Sequence, residues 1–136
     1  MNFRHEFTVG FSQCDSAGVM FFSRIFEIVH LAYEEWIISL GLTHAEWFSN
    51  SDWAVPLKSC QAEYFQPMKQ GEKFSAGVEL TRVGEHSFQL AWRVLQDNKL
   101  VCKVTTDHVF VDKNTFTKRE IPKIFFDKFP TWKAGH

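Results

Sequence analysis

An α+β fold, in which one long helix is wrapped by a curved antiparallel sheet, is predicted from three features of the 136-residue chain. One segment, Phe22 to Leu40, carries apolar residues at helical spacing. The chain before it and most of the chain after it alternate polar and apolar residues at the period of a strand. The connections "QPMKQGE", "RVGEH" and "QDNK" have the composition of turns between antiparallel neighbours. A composition of 45% apolar and 16% aromatic residues supplies a substantial core, and one domain spanning residues 1–136 is expected.

The first strand is read from "HEFTVGF", His5 to Phe11, with Gly10 interrupting it. In the helix, Phe22, Ile25, Phe26, Val29, Ala32, Tyr33, Trp36, Ile37 and Leu40 make a broad apolar face, while Arg24, Glu27, Glu34 and Glu35 supply much of the other side. Gly41 marks the stop. About nineteen helical residues span roughly 28 Å, enough to cross a small sheet. Thr43 to Trp53 forms a connection with a short helical turn. The remaining strands run from Val55 to Phe65, Glu72 to Val83, Ser87 to Gln96 and Leu100 to Val111. From about Thr115 the pattern loses its period and Pro122 and Pro130 break it, so an irregular C-terminal tail is expected. Large aromatics and a sheet with an exposed face favour self-association.

The formal charge of −1 gives no footprint for nucleic acid. Residues 1–50 carry two Lys or Arg against six Asp or Glu, whereas the end of the chain is basic. Three cysteines, Cys14, Cys60 and Cys102, contain no CxxC pair and are too few for a disulfide scaffold, which points to the reducing cytoplasm. No basic start precedes an apolar stretch and no run is long enough to span a bilayer, so neither secretion nor membrane association is expected. His5, His44, His86, His108 and His136 are scattered and make no zinc motif.

Chemistry concentrates in "SQCDSAGVMFF", Ser12 to Phe22. A carboxylate before a helix commonly caps or closes a turn, and Asp15 fits that role. Gly18 permits a tight bend. With such a bend, the amides near Met20 to Phe22 and the positive helix end could polarise a carbonyl while Asp15 supplies an oxygen. Residues and spacing alone leave both readings open. Cys14 adjoins Asp15 without a histidine base nearby in sequence, and a structural role suits it better.

"CDSAGVMFF", continued by "HLAYEEW", resembles the Asp-x-x-Gly segment and long helix of hotdog-fold acyl-CoA thioesterases of the 4-hydroxybenzoyl-CoA type. The arrangement of His30, Tyr33 and Glu34 is similar to that of the 1,4-dihydroxy-2-naphthoyl-CoA thioesterase relatives. "AEYFQPMKQGE", Ala62 to Glu72, resembles the family's lead into the next strand, and the likeness extends to about Val111. Ser16 and Gln13 depart from the 4-hydroxybenzoyl-CoA branch, where proline and an acidic residue are frequent.

The resemblance implies hydrolysis of a thioester to a carboxylic acid and free coenzyme A, which is substrate and product, with no metal or other cofactor. Asp15 takes the place of the catalytic carboxylate, Gly18 of the turn glycine, and Phe22 of the residue whose backbone amide polarises the carbonyl. Asp15 either attacks the thioester carbon, giving a mixed anhydride, or deprotonates an attacking water. Val19, His30, Tyr33, Glu34 and Trp53 are candidates around the acyl group, and Lys58 and Lys69 for the phosphates of coenzyme A. A His30–Glu34 pair is geometrically plausible one helical turn apart, and Tyr33 suits either packing or a hydrogen bond. An aromatic acyl group is the first choice, with quinone biosynthesis as the implied setting; a short or medium aliphatic acyl group is the second. The implied assembly is a homodimer as the minimum active unit, within a homotetramer. The alternatives are a noncatalytic acyl-CoA or acyl-carrier binding module and a structural dimerisation domain. The histidine-centred segment of a hotdog dehydratase is absent around Asp15.

Overall fold

The computed structural model describes residues 3–130. The elements are β1 (Arg4–Thr8), α1 (Arg24–Ser39), α2 (His44–Phe48), β2 (Trp53–Ala54), β3 (Leu57–Tyr64), β4 (Lys73–Val83), β5 (Ser87–Gln96), β6 (Lys99–Val109), β7 (Val111–Asp112) and α3 (Lys123–Lys128). Five strands form an antiparallel sheet in the order β1-β4-β5-β6-β3, and β2 pairs with β7. This is the expected α+β hotdog arrangement, with α1 packed on the inner face of the sheet.

The sheet acquires its inner face from large apolar residues at alternate positions. Phe74, Ala76 and Leu80 of β4, Phe88, Leu90, Trp92 and Val94 of β5, and Cys102 and Val104 of β6 are buried. They meet Ile25, Val29, Ala32, Trp36 and Ile37 of α1, with Trp36 and Trp92 edge to face at 6.4 Å. Register shifts at Leu80/Arg82, Val94/Leu95 and Leu57/Ser59 bend and twist the strands. The β5–β6 hairpin closes through Asp97 and Asn98, both at positive φ (51° and 65°), as a two-residue type I′ turn requires. Edge strand β3 is exposed along nearly its whole length.

The later strands match the sequence pattern closely, and three elements differ. The first strand ends at Thr8 rather than Phe11. The Gly10 amide bonds Gln13 Oε1 at 2.9 Å and a single 3-10 turn, Phe11–Gln13, follows. Helix α1 begins at Arg24 rather than Phe22, because Phe21 and Phe22 belong to the turn before it. Its end agrees with expectation: Gly41 at φ +91° leaves the helix. The expected short turn after it is α2, stabilised by a capping box in which the Glu46 amide donates to Thr43 Oγ1 at 3.1 Å and the Thr43 amide donates to Glu46 Oε1 at 2.8 Å.

The third difference is the tail. Where loss of period after Thr115 predicts irregular chain, α3 forms, and Phe125 within it and Phe129 just after it enter the core. Their rings stack at 4.1 Å, Phe125 lies 5.1 Å from Phe88, and Phe129 lies 5.1 Å from Trp36. A six-residue helix is too short to show two full periods of an apolar pattern. Residues 131–136, including Lys133 of the basic tail, lie outside the described residues.

His108 is buried on the inner face of β6, between Tyr33 (4.7 Å) and Phe88 (4.9 Å). Its Nε2 is 2.9 Å from Thr106 Oγ1, which also accepts from the Trp92 indole at 3.3 Å. Burial lowers its pKa from 6.5 to about 4, against the attraction of Asp107 and with a further lowering from His30.

Two outcomes follow from this core. Replacing Phe125 by Ala should cost about 3–5 kcal/mol in urea denaturation, as for a buried core phenylalanine and unlike a tail residue. The depressed His108 pKa means that between pH 6.5 and about 4 the unfolded chain binds a proton that the folded chain refuses. Stability from this group is therefore complete above pH 6.5 and declines toward pH 4, by up to about 3 kcal/mol. Denaturation at pH 7 and pH 5 should show the decline in wild type and a flatter dependence in His108→Gln.

Candidate active site

The site grows from the turn that joins β1 to α1. The Gly18 amide bonds the Asp15 carbonyl at 3.1 Å and the Asp15 amide bonds the Val19 carbonyl at 2.9 Å, closing the loop on itself. Asp15 Oδ1 accepts from the amides of Ala17 at 2.9 Å and Val19 at 3.3 Å. Gly18 has φ +78°, and a Cβ there would meet no atom within 4 Å, so the turn needs glycine for its backbone angle rather than for space. The loop is tied to the chain entering β4: the Met20 amide donates to the Met68 carbonyl at 2.8 Å and the Gln70 amide to the Gly18 carbonyl at 3.0 Å.

Asp15 thus does form the turn, but with one oxygen. Oδ2 takes no hydrogen bond among the described residues, and the side chain is exposed.

The Phe22 amide is oriented by its own peptide plane. In a trans peptide the carbonyl and the following N–H point in opposite directions. The Phe21 carbonyl accepts from the Arg24 amide at 2.9 Å, toward the first turn of α1, so the Phe22 N–H points away from that turn. It has no acceptor among the described residues. Phe21 is anchored in turn through its amide to the Gln13 carbonyl at 2.8 Å. The N-terminal end of α1 adds the positive end of the helix dipole.

Asp15 and Phe22 line one cleft of about 420 Å³, with Val19, Met20, Phe21 and Tyr64 and the segment Phe65 to Met68. The Tyr64 hydroxyl donates to the Phe22 carbonyl. Burial, and then the nearby Cys102, raise the Tyr64 pKa to about 12, so the phenol remains a donor at neutral pH. Tyr64 escaped the sequence reading because it sits 42 residues from Phe22 and no local pattern connects them.

The other expected site residues separate into groups. Val19 is in the cleft, and Lys69, exposed beside it, is paired through its backbone with Val19. His30 and Tyr33 line a second pocket of about 340 Å³ with Phe48, Val55, Leu57 and Phe116. Tyr33 is buried, its ring stacked near His30 at 6.1 Å and its hydroxyl accepting from the Trp47 indole at 2.7 Å; burial raises its pKa. Glu34 lies 3.4 Å from His44 Nε2, so the structure shows a contact with α2 where the helical spacing also made a pair with His30 plausible. Trp53 is buried against Trp47 and Phe110, at 5.4 and 5.3 Å, rather than lining either pocket. Lys58 is exposed on β3 at its irregularity, away from the Asp15 turn in sequence and absent from the cleft lining. Among the described residues no three His, Cys, Asp or Glu side chains converge to hold a metal. Cys14 Sγ contacts the Gly10 carbonyl at 3.5 Å, and burial pushes the Cys102 thiol up to about 12.

Residues 9–129 match the model of the thioesterase-like superfamily. The chain is 30% identical over 122 residues to the 1,4-dihydroxy-2-naphthoyl-CoA hydrolase of Nostoc punctiforme, covering 90% of this chain and 82% of that protein. It is 32% identical over 108 residues to the 1,4-dihydroxy-2-naphthoyl-CoA hydrolase of Crocosphaera subtropica, covering 77% of this chain and 79% of that protein. The structure of the 1,4-dihydroxy-2-naphthoyl-CoA thioesterase from Synechocystis superposes with a TM-score of 0.80 at 26% identity, over 90% of this chain and 91% of that one. Match, identity and superposition together put this chain in the hotdog-fold thioesterases of the 4-hydroxybenzoyl-CoA and 1,4-dihydroxy-2-naphthoyl-CoA hydrolase family, enzymes that hydrolyse acyl-CoA thioesters.

Proposed function

We propose that this enzyme hydrolyses an aromatic acyl-CoA, with 1,4-dihydroxy-2-naphthoyl-CoA as the leading substrate, and that Asp15 and the Phe22 amide carry the reaction. The observation that supports this most directly is the pairing, in one cleft, of a carboxylate oxygen and a main-chain N–H at a helix entrance, neither with a hydrogen-bond partner among the described residues. The Phe22 N–H donates to the thioester oxygen, most strongly as that oxygen becomes negative. Asp15 Oδ2 then attacks the carbonyl carbon or takes a proton from an attacking water. In the first route the thiolate of coenzyme A leaves from a mixed anhydride that water later opens. In the second it leaves directly from the tetrahedral intermediate. Both yield a carboxylic acid and free coenzyme A. The aromatic preference draws support from Phe21, Phe22, Tyr64 and Phe65 around the cleft and from the relatives named above.

The unit of action in this reading is a homodimer. Edge strand β3 leaves one side of its ladder unpaired and is exposed on both faces. Antiparallel pairing of two β3 strands over their full length sets the Leu57 end of one against the Tyr64 end of the other. That brings the His30 and Tyr33 pocket toward the neighbouring Asp15 cleft, so His30 and Tyr33 would contact the acyl group across the interface. Lys69, beside the cleft, and Lys58, on β3, serve the phosphates. Leu31 and Ile38, exposed one above the other on the outer side of α1, offer the surface for a homotetramer. The three unpaired thiols suit the cytoplasm.

Thiol release from a panel of hydroxynaphthoyl, benzoyl and aliphatic acyl-CoA thioesters tests the assignment. Wild type should favour the aromatic members. Asp15→Asn, which retains the side-chain oxygen that closes the turn, should remain folded and lose about 100-fold or more in kcat. Tight binding of every thioester without thiol release would overturn hydrolysis in favour of an acyl-CoA binding module.

A further inference from the structure

We propose that Tyr64 is a positioning residue for the reaction: its hydroxyl, donated to the Phe22 carbonyl, holds the Phe22 amide in the attitude that polarises the thioester. The inference rests on the reading in which that amide serves the thioester oxygen.

Phe22 sits where its own neighbours restrain it poorly. Phe22 is 64% exposed, so packing does not fix it, and among the described residues its ring pairs only with that of the exposed Phe21, at 4.8 Å. In a continuous helix the Phe22 carbonyl would accept from the Phe26 amide. That amide goes instead to the Ser23 carbonyl at 3.3 Å. The Phe22 carbonyl is therefore left outside the helical ladder, and the phenol of Tyr64 takes it up.

The peptide units on either side of Phe22 are consequently held by different parts of the molecule. The unit before it, which contains the catalytic N–H, is tied to α1 through the Arg24 amide. The unit after it is tied to the sheet through Tyr64, the last residue of β3, which pairs with Cys102 of β6. A tyrosine ring has few torsions, so it transmits the position of the strand to the helix entrance with little slack. Without the hydroxyl, the carbonyl can turn to water and the Phe22 amide loses one of its two restraints. An oxyanion donor acts through its alignment in the transition state, so the loss should appear in kcat with little change in KM.

Tyr64→Phe removes the hydroxyl and retains the ring. The readouts are steady-state kinetics on the best aromatic thioester, the pH profile of kcat, and the carbonyl carbon resonance of Phe22 by NMR, with Phe125 as a remote reference. The expected result is a fall in kcat of about ten- to a hundredfold, KM within about twofold of wild type, an unchanged profile shape, and a displaced Phe22 resonance beside an unmoved Phe125. Unchanged kcat, a KM rise accounting for the whole loss, or an unmoved Phe22 resonance would overturn the proposal. If wild type binds thioesters without releasing thiol, the hydrolase reading fails and the catalytic role of Tyr64 falls with it. An active wild type with an unaffected variant refutes the role of Tyr64 alone.

Discussion

The apolar face of α1 must be covered, and most of the architecture follows from how it is covered. Ile25, Val29, Ala32, Trp36 and Ile37 occupy one side of a sixteen-residue helix and are buried almost completely. A flat sheet would leave the flanks of such a helix wet. The three register irregularities in β3, β4 and the β5–β6 pair increase the local twist. They let the same strands that bury Trp92 and Val94 beneath the middle of the helix approach it from the sides. Phe125 of α3 and Phe129 just after it close part of the remaining gap beside Trp36 and Phe88.

Covering the helix also determines where its N-terminal end lies, and that end borders the cleft that holds Asp15. The Asp15–Gly18 turn is bonded internally and then pinned to Met68 and Gln70, so the start of α1 is held against the chain leading into β4. The helix opens at Arg24, two residues later than its apolar pattern predicts, and the delay changes the geometry: Phe21 and Phe22 lie in a turn, and the Phe22 amide points away from the helix instead of being absorbed into the ladder. Asp15 accommodates two readings that the sequence alone leaves in competition. One carboxylate oxygen closes the turn and the other remains without a partner among the described residues, so a role in the turn leaves the second oxygen available for the chemistry proposed above.

The aromatic residues, numerous in the composition, divide in the same way. Trp47, Trp53, Phe88, Phe110, Phe125 and Phe129 form a contiguous buried group in which ring contacts supply both area and orientation. Phe21, Phe22, Tyr64 and Phe65 remain exposed around the Asp15 cleft. His108 belongs to the first group despite its type: stacked between Tyr33 and Phe88 and kept neutral by burial, it behaves as a core aromatic with one polar contact to Thr106.

What the sequence determined by itself is what depends on neighbours in the chain. Helical and strand periods placed α1 and the later strands, Gly41 ended the helix, "QDNK" closed a hairpin, and the spacing of Asp15 and Gly18 announced the turn, because each of these is set by backbone preference over a few residues. The tertiary structure decided the rest. Nothing local marks Lys123–Lys128 as core, since a short helix gains its stability from the surface it meets. The sequence offers His30 to Glu34 at helical spacing, yet Glu34 meets His44 once α2 folds back beside α1. Trp53 reads as a pocket aromatic until β2 pairs with β7 and buries it. Tyr64 reaches Phe22 only because the sheet curls the end of β3 toward the entrance of α1, a contact between residues 42 positions apart that no periodicity encodes.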